Sequence, residues 1–394
     1  MLFRWYYEKM RRPENGFGSA ITDIELSPHK YLLHADRLRT LAQDGDVYPV
    51  TVELDPVNYC NHRCGWCVDP AHGHSRLDED FARELLGELR ELGVMGIVYK
   101  GGGEPTLHPS LQELLEFTRG LGYETGLVTN GSRLEKVVRP VVSHASYLRV
   151  SIDGPTPQSH TAVHGSDDFQ DIIAGVKKAV RTRDECGQRH PVIGLSFAMD
   201  YGMIHLVGEA VELGDCLGVD YVLFRTPFFG EVGREPTMTI EQAQTVRDAF
   251  DAARDAYCGE MRIMVDHWIS DREASEISGP GSSSPRRGLY QQPGANGIEH
   301  VTGRCLASPL LAVVAGDRSV YPCCNLRTLE EWRIGVVDYE ADRTFRQIWE
   351  GKRRREVMER IHRTECIRYC THPMSKYNEA IEYLAGPKHH GGFV

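Results

Sequence analysis

The chain has no long apolar run, few cysteines for its length and no excess of positive charge. No stretch approaches the ~20 apolar residues that cross a bilayer, and the aromatic segment 1–10 lacks the apolar core of a signal peptide. Eleven cysteines among 394 residues are too sparse for a secreted disulfide scaffold. The net charge of −11 argues against a surface for nucleic acid or an anionic membrane. We therefore expect a soluble, cytoplasmic enzyme whose thiols stay reduced and bind metal.

Three of the cysteines are concentrated in one short segment. Cys60, Cys64 and Cys67 have the spacing C-x3-C-x2-C. A 4Fe–4S cluster is normally held by four thiolates, so three close thiols suggest a cluster with one iron open to a ligand. The alternatives are a zinc knuckle and three unrelated cysteines. Zinc ligands usually come as two pairs, and this triplet has no nearby fourth cysteine.

The segments around the triplet favour the cluster. The β-branched run 51–57 predicts a strand that ends just before the cysteines, and 96–100 predicts a second strand. The second strand leads into Gly-Gly-Gly-Glu-Pro at 101–105, where glycines allow a ligand to approach the backbone and Glu104 adds an acceptor. The cysteine motif followed by this turn resembles the radical S-adenosylmethionine (SAM) superfamily.

The resemblance implies a set of cofactor contacts. The three cysteines hold the cluster, its open iron chelates the amino and carboxylate groups of SAM, and the glycine turn contacts the amino group. An external electron donor such as flavodoxin or ferredoxin would reduce the cluster. Strand-end polar groups would contact the ribose or the carboxylate, although ordinary contacts to backbone or water are the alternative for each. The expected contacts are Trp66, Gly102, Gly103, Glu104, Pro105, Asn130, Ser151, Asp153, Ser196 and Arg225.

Strands and helices alternate along the first two thirds of the chain. The hydrophobic pattern predicts strands at 51–57, 96–100, 124–129, 147–152, 191–199 and 220–225, and helices at 78–92, 109–120, 132–142, 167–183 and 204–217. Such alternation predicts an α/β fold with a parallel sheet. Six units match the partial (β/α)6 TIM-like barrel that the resemblance implies. Its active site would lie at the C-terminal ends of the strands.

A second cysteine group lies near the end of the sequence. It comprises Cys305, Cys323, Cys324, Cys366 and Cys370, and the segment 308–323 predicts a β-hairpin that turns at Gly316-Asp317. This region resembles a twitch domain, the short form of the SPASM domain, which holds one auxiliary 4Fe–4S cluster. The expected ligands are Cys305, Cys323, Cys366 and Cys370, with the choice between Cys323 and Cys324 left open. A structural zinc site is the alternative, and no cysteine follows Cys370 as a full SPASM domain would need.

These patterns divide the chain into four parts. We expect an N-terminal extension at 1–48, the partial barrel at 49–269, a loop at 270–303 and the auxiliary-cluster domain at 304–394. The loop is rich in Ser, Gly and Pro, as in a linker or an active-site lid. The remaining cysteines, Cys186, Cys216 and Cys258, lie in helix-like stretches and are expected to be buried free thiols.

The resemblance implies two clusters, SAM and a 5′-deoxyadenosyl radical that takes a hydrogen from the substrate. The leading expectation is dehydrogenation of a sugar or aminocyclitol in antibiotic biosynthesis, with epimerisation or dehydration next. A peptide maturase is the alternative, although the 48 residues before the barrel are expected to be too few for a leader-binding domain. An iron–sulfur electron carrier or redox sensor is the non-enzymatic alternative.

Few residues stand out as acid, base or hydrogen donor. Tyr99 or Lys100 would act on a proton, and Cys324 would donate hydrogen in an epimerase. Glu53, Asp55, Lys100 and Asp153 would suit a substrate rich in hydroxyl or amino groups. His108, His160 and His164 are expected to be surface histidines.

Overall fold

The fold is known from a computed structural model of the chain. It describes residues 30, 33–43, 45–67, 69, 73–227, 238, 240–266, 305–362 and 365–366. The loop 270–303, most of the N-terminal extension and Cys370 lie outside the described residues.

Ten strands of the described residues form one sheet, in the order β10-β9-β8-β1-β2-β3-β4-β5-β6-β7. Strands β1 to β7 run parallel, and β8 pairs in parallel with β1, while β9 is antiparallel to both of its neighbours, β8 and β10. The strands are β1 (Thr51–Leu54), β2 (Gly96–Tyr99), β3 (Glu124–Thr129), β4 (Tyr147–Ser151), β5 (Val192–Ala198), β6 (Tyr221–Arg225), β7 (Arg262–Asp266), β8 (Leu311–Val314), β9 (Ser319–Tyr321) and β10 (Gly335–Val336).

Helices connect the parallel strands and cover one face of the sheet. The α-helices among the described residues are α1 (Ala35–Ala42), α2 (Glu79–Glu91), α3 (Leu111–Gly120), α4 (Leu134–His144), α5 (Pro157–His164), α6 (Phe169–Glu185), α7 (Val207–Leu217), α8 (Ile240–Ala256), α9 (Phe345–Trp349) and α10 (Lys352–His362). The connecting helices are amphipathic, so their apolar side turns toward the sheet. In α2, for example, Phe81, Leu85 and Leu89 are buried at helical spacing. None of the described helices is both long and apolar enough to span a bilayer.

The two faces of the sheet bury different residues because strand side chains alternate. Val52 and Leu54 of β1 belong to the large core that the helices cover, whereas Glu53 points to the other face. We call this other face the inner face. A separate apolar cluster lies there, built on Val192, Tyr221 and Leu223. The inner face therefore has an apolar part and a charged part.

The structure confirms the six expected strands, the five expected helices and the hairpin of 308–323. Features that were not expected include the helices α5 and α8, the strands β7 and β10, and the pairing of β8 with β1. Helix α5 has only a weak apolar side, so hydrophobic periodicity did not reveal it. Its start is marked instead by a capping box, in which the side chain of Thr156 accepts a hydrogen bond from the backbone N–H of Ser159. The β8–β1 pairing joins distant segments, which local patterns do not report.

Candidate active site

The three cysteines of the triplet lie on a loop that follows β1 and is held on two sides. On one side the backbone N–H groups of Arg63 and Gly65 donate to His164 O and Val163 O at 2.9 and 3.1 Å. On the other, Glu104 N donates to Tyr59 O at 3.0 Å. The cysteine loop is thus fixed between the end of α5 and the glycine turn after β2.

The triplet fits an iron–sulfur cluster better than a single ion. Cys60, Cys64 and Cys67 are all partly buried. Burial raises the pKa of the Cys60 thiol to about 12, so this thiol ionises readily only when a metal binds it. Among the described residues, the groups whose donor atoms lie within 4.8 Å of one another do not include the three cysteines together. Their spread suits a cluster of several irons.

The glycine turn packs directly against the cysteine loop. Gly101 has a φ of +145°, and a Cβ atom there would lie 2.3 Å from the side chain of Asp55. At Gly103 a Cβ atom would lie 2.3 Å from Tyr59 O. Glycine is therefore required for this contact between loops. The expected contact of Gly102 and Gly103 with SAM stays a prediction.

Glu104 is 3 % exposed and is surrounded by donors. Its carboxylate accepts from Thr106 N at 2.9 Å, Thr106 Oγ1 at 2.6 Å, Thr129 Oγ1 at 2.5 Å and Asn130 N at 2.7 Å. Burial raises the pKa of Glu104, and these hydrogen bonds oppose the rise. The carboxylate ties the turn that begins at Pro105 to the end of β3, next to the cysteine loop. Asn130 completes the tie, because its Nδ2 donates to Asn61 Oδ1 at 3.0 Å.

The expected polar residues at the ends of β4, β5 and β6 lie together. Asp153 Oδ1 accepts from Ala198 N at 2.7 Å, and Arg225 Nη2 donates to Ser196 Oγ at 2.7 Å. Ser151 is the last residue of β4, two residues before Asp153. Burial favours a raised pKa of Asp153, but hydrogen bonds from His164 and Ala198 outweigh it and lower the pKa. This edge of the sheet thus carries an anchored carboxylate and a guanidinium within one small area.

One buried donor near the triplet has no acceptor. The Nε1 atom of Trp66 is buried and has no hydrogen-bond partner among the described residues. An unsatisfied buried N–H costs free energy, so a ligand with an acceptor at this place would be favoured. Together with the thiols and the strand-end polar groups, this donor set fits SAM beside a cluster.

Tyr99 is placed away from the site. Its side chain is fully buried on the helix side of β2, and its hydroxyl contacts Thr118 Oγ1 at 2.6 Å and Leu114 O at 3.3 Å. The expectation that Tyr99 acts on a proton is therefore corrected, because strand alternation turns it toward α3. Lys100, the next residue, lies on the inner face, where its Nζ donates to Glu53 Oε1 at 3.0 Å.

Sequence reasoning missed the main partner of Glu53 and Asp55. Arg327, which follows the hairpin β8–β9, pairs with Glu53 through Nη2 and with Asp55 Oδ1 through Nη1 at 3.3 Å. Burial favours a raised pKa of Glu53, but Lys100 and Arg327 outweigh it and lower the pKa. Burial dominates at Asp55 and raises its pKa to about 6. The carboxylates that were expected to meet substrate are thus engaged with cations of the protein.

The four described cysteines of the second group lie near one another in the C-terminal segment. Cys305 and Cys323 are buried, and Cys324 and Cys366 are partly buried. Burial raises the pKa of Cys366 to about 12, and the neighbouring thiol of Cys305 adds to the rise. The pKa of the Cys323 thiol is raised, most of all by its hydrogen bond with Cys324, then by burial, and also by the neighbouring thiol of Cys305. Cys324 has Glu53, Lys100 and Arg327 as charged neighbours, so it lies on the side of the barrel.

The expected exposure of two groups of residues was wrong. His108, His160 and His164 are buried rather than on the surface. Cys186, Cys216 and Cys258 are exposed rather than buried. The histidine error has a recognisable cause. His62 is distant in sequence from His160 and His164 of α5, and only the fold brings the three together.

A family model described as the Radical SAM superfamily matches residues 54–194. This region is a Radical SAM superfamily domain. It includes the cysteine loop, the glycine turn and the ends of β3 and β4, whereas Ser196 and Arg225 lie beyond it.

The chain is also similar to two curated proteins and, in fold, to one solved structure. The chain is 25% identical over 249 residues to PqqA peptide cyclase of Streptomyces rochei, covering 60% of this chain and 65% of that protein. It is 28% identical over 136 residues to GTP 3′,8-cyclase of Mannheimia succiniciproducens, covering 32% and 40%. The structure of SuiB of Streptococcus suis bound to S-adenosylmethionine has a TM-score of 0.60 and 13% identity, covering 91% and 80%. The chain thus spans less than two thirds of the two curated relatives, and the similarity to SuiB shows a shared fold.

Proposed function

We propose that this chain is a radical SAM enzyme that removes hydrogen from a polar small molecule, with dehydrogenation as the net reaction. Cys60, Cys64 and Cys67 would hold a cluster that, with SAM, would supply a 5′-deoxyadenosyl radical to remove one hydrogen atom from the substrate. Cys305, Cys323, Cys366 and Cys370 would hold an auxiliary cluster that would supply an acceptor for the remaining electron, with the proton passing to a base or to solvent. The observation that carries the proposal is the pairing of β8 with β1. It supports an electron acceptor at the barrel, because Cys323 and Cys324 follow that hairpin and Cys324 lies near enough to Glu53 and Lys100 for their charges to act on its thiol.

The residues of the inner face suit a polar substrate. Lys100 is held by Glu53 and is placed to orient a hydroxyl or to hold a proton near the substrate. Arg149 of β4 lowers the pKa of Glu53 by its charge, and its own buried Nε has no hydrogen-bond partner within the described part of the chain. Tyr147 and Tyr221 close the apolar end of the same face. A sugar or aminocyclitol, with several hydroxyl or amino groups, matches this mixture of charge and aromatic surface.

The proposal is tested with the reconstituted protein under anaerobic, reducing conditions. We expect SAM to give 5′-deoxyadenosine, and a panel of sugars and aminocyclitols to contain a compound that is oxidised with one 5′-deoxyadenosine formed per product. The variant with Cys60, Cys64 and Cys67 all replaced by Ala is expected to form none. If the wild-type chain also forms none while holding its iron, an electron carrier or redox sensor replaces the enzyme.

Solvent deuterium separates dehydrogenation from epimerisation. A dehydrogenase leaves no solvent deuterium at the reacting carbon, whereas an epimerase that quenches the radical with the Cys324 thiol incorporates one deuterium. Replacement of Cys324 by Ala, with the exposed Cys258→Ala as control, then stops product formation only in the second case. Deuterium in the product together with loss of activity in C324A would reject dehydrogenation.

A peptide maturase is the second candidate. It is favoured by the 25% identity to PqqA peptide cyclase, which covers more of this chain than the match to GTP 3′,8-cyclase does. Candidate precursor peptides encoded beside the gene would be offered to the reconstituted protein. A mass change in such a peptide, with no turnover of any sugar or aminocyclitol, would favour this candidate.

A further inference from the structure

Three buried histidines and one aspartate lie directly behind the cysteine loop. His62 comes from that loop, His160 and His164 from α5, and Asp168 from the N-terminus of α6. The three histidines are at most 2 % exposed, and their ring centroids lie 4.5 to 5.8 Å apart. We call these four residues the histidine relay. The proposed function does not use them.

The relay begins at Asp168. Its Oδ2 lies 2.8 Å from His62 Nε2, and its Oδ1 lies 3.1 Å from His160 Nε2. A carboxylate only accepts hydrogen bonds, so the Nε2 atom of His62 carries the hydrogen. The other nitrogen of His62, Nδ1, is then an acceptor. It lies 3.2 Å from His164 Nδ1.

The relay ends at a cysteine sulfur. His164 Nε2 faces two oxygens, Ile152 O at 3.1 Å and Asp153 Oδ2 at 3.2 Å, so it donates to them. His164 Nδ1 lies 3.1 Å from Cys64 Sγ. A thiolate that binds metal has no hydrogen to give, and His62 Nδ1 is also an acceptor. The hydrogen that makes both contacts favourable is therefore the one on His164 Nδ1.

The backbone strengthens this arrangement. The same segment of α5 that carries His164 accepts the two backbone hydrogen bonds from Arg63 and Gly65. The backbone that carries His164 is therefore held beside the cysteine loop, and its imidazole is anchored there by Ile152 O and Asp153. Groups that hydrogen-bond to the ligands of a metal centre orient those ligands, and hydrogen bonds to cysteine sulfurs tune the potential of iron–sulfur clusters.

We propose that Asp168, His62 and His164 are positioning residues that raise the reduction potential of the cluster held by Cys60, Cys64 and Cys67. The N–H group of His164 draws electron density from Cys64 Sγ, which favours the reduced, more negative cluster. Asp168 acts through His62 by fixing the acceptor against which His164 is aligned. This inference rests on the proposed function only in requiring a cluster at the triplet.

The test is a redox titration of the reconstituted full-length chain, followed by electron paramagnetic resonance. Iron and sulfide per chain are measured first, and the triplet cluster is recognised by the change that SAM causes in its signal. For His164→Leu we expect wild-type iron content and a midpoint potential shifted to a more negative value. His164→Gln keeps a side-chain N–H donor and is expected to recover part of the shift. Asp168→Asn is expected to shift the potential in the same direction by less, and the exposed His205→Leu is the control.

The outcomes distinguish a failure of this proposal from a failure of the proposed function. Wild-type potentials in both His164→Leu and Asp168→Asn, with full iron, would overturn the relay and leave the proposed function intact. If His164→Leu holds no iron, Asp168→Asn decides by the same titration, because an unchanged potential in that variant rejects the proposal. A wild-type chain with no SAM-responsive cluster overturns both. So does one zinc ion bound through His62, Cys64 and His164, whose donor atoms lie within 4.8 Å of one another.

Discussion

Arg327 and Glu53 form a buried ion pair across 274 residues of sequence. The guanidinium is 5 % exposed, and it also lies 3.3 Å from Asp55. Both carboxylates belong to the barrel, on β1 or directly after it, whereas Arg327 belongs to the C-terminal segment. One cation therefore links the part of the chain with the triplet to the part with the second cysteine group.

Replacement of Arg327 by Met is expected to lower the free energy of unfolding by about 3–5 kcal/mol, because it leaves buried carboxylates without their main cation. Denaturant unfolding of the wild type and the variant measures this difference. The half-exposed Arg343, 3.9 Å from Asp338, gives the matched control, since Arg343→Met should cost less than about 1 kcal/mol. A loss of that small size in R327M would contradict a stabilising role for the pair.

Asp55 is expected to make stability fall as the pH rises. Burial raises its pKa from 3.8 to about 6, so the folded chain binds this proton more tightly than the unfolded chain does. Its contribution is present below pH 4 and is lost as the pH rises through about 6, by up to about 3 kcal/mol. Unfolding free energies of the wild type and Asp55→Asn, compared from pH 4 to pH 7, measure the effect. A difference between the two proteins that does not change with pH would reject it.

Gly103→Ala is expected to disturb the cysteine loop. The new Cβ would lie 2.3 Å from Tyr59 O and 2.7 Å from Val57 O, and these backbone atoms must shift to make room. We expect a destabilisation of about 1–3 kcal/mol and reduced iron at the triplet. Gly208→Ala is the control, since no atom lies within 4 Å of its added Cβ. Equal iron per chain in G103A, G208A and the wild type would show that the turn tolerates a side chain.

The second cysteine group is expected to bind four of about eight irons per chain, as two 4Fe–4S clusters require. Cys323 is buried beside Cys305, whereas Cys324 neighbours the charges of the barrel. We therefore expect Cys323→Ser to retain about four irons and Cys324→Ser to retain about eight. Iron and sulfide analysis after anaerobic reconstitution measures this, and the reverse result would make Cys324 the ligand.

Local patterns were enough to predict the parts of the fold that repeat locally. The strand before Cys60, the helix with Phe81 and Leu85, and the glycine turn each follow from period, composition or backbone requirement. The partners of side chains were not predictable in this way. Arg327 meets Glu53, and His164 meets Cys64, only because β8 joins β1 and α5 ends beside the cysteine loop. Tyr99 was misplaced for a simpler reason, since a shift of one position along a strand exchanges the two faces.

The pairing of β8 with β1 also has a consequence for biosynthesis. The first barrel strand leaves the ribosome early, but one of its two neighbours is completed only when residue 314 has been added. Until then, β1 exposes an open edge that other strands can join. Pairing between such distant segments is slow, and incomplete chains with open edges are prone to aggregate. Slower translation or chaperone binding during synthesis of the middle of the chain should therefore determine how much protein is recovered.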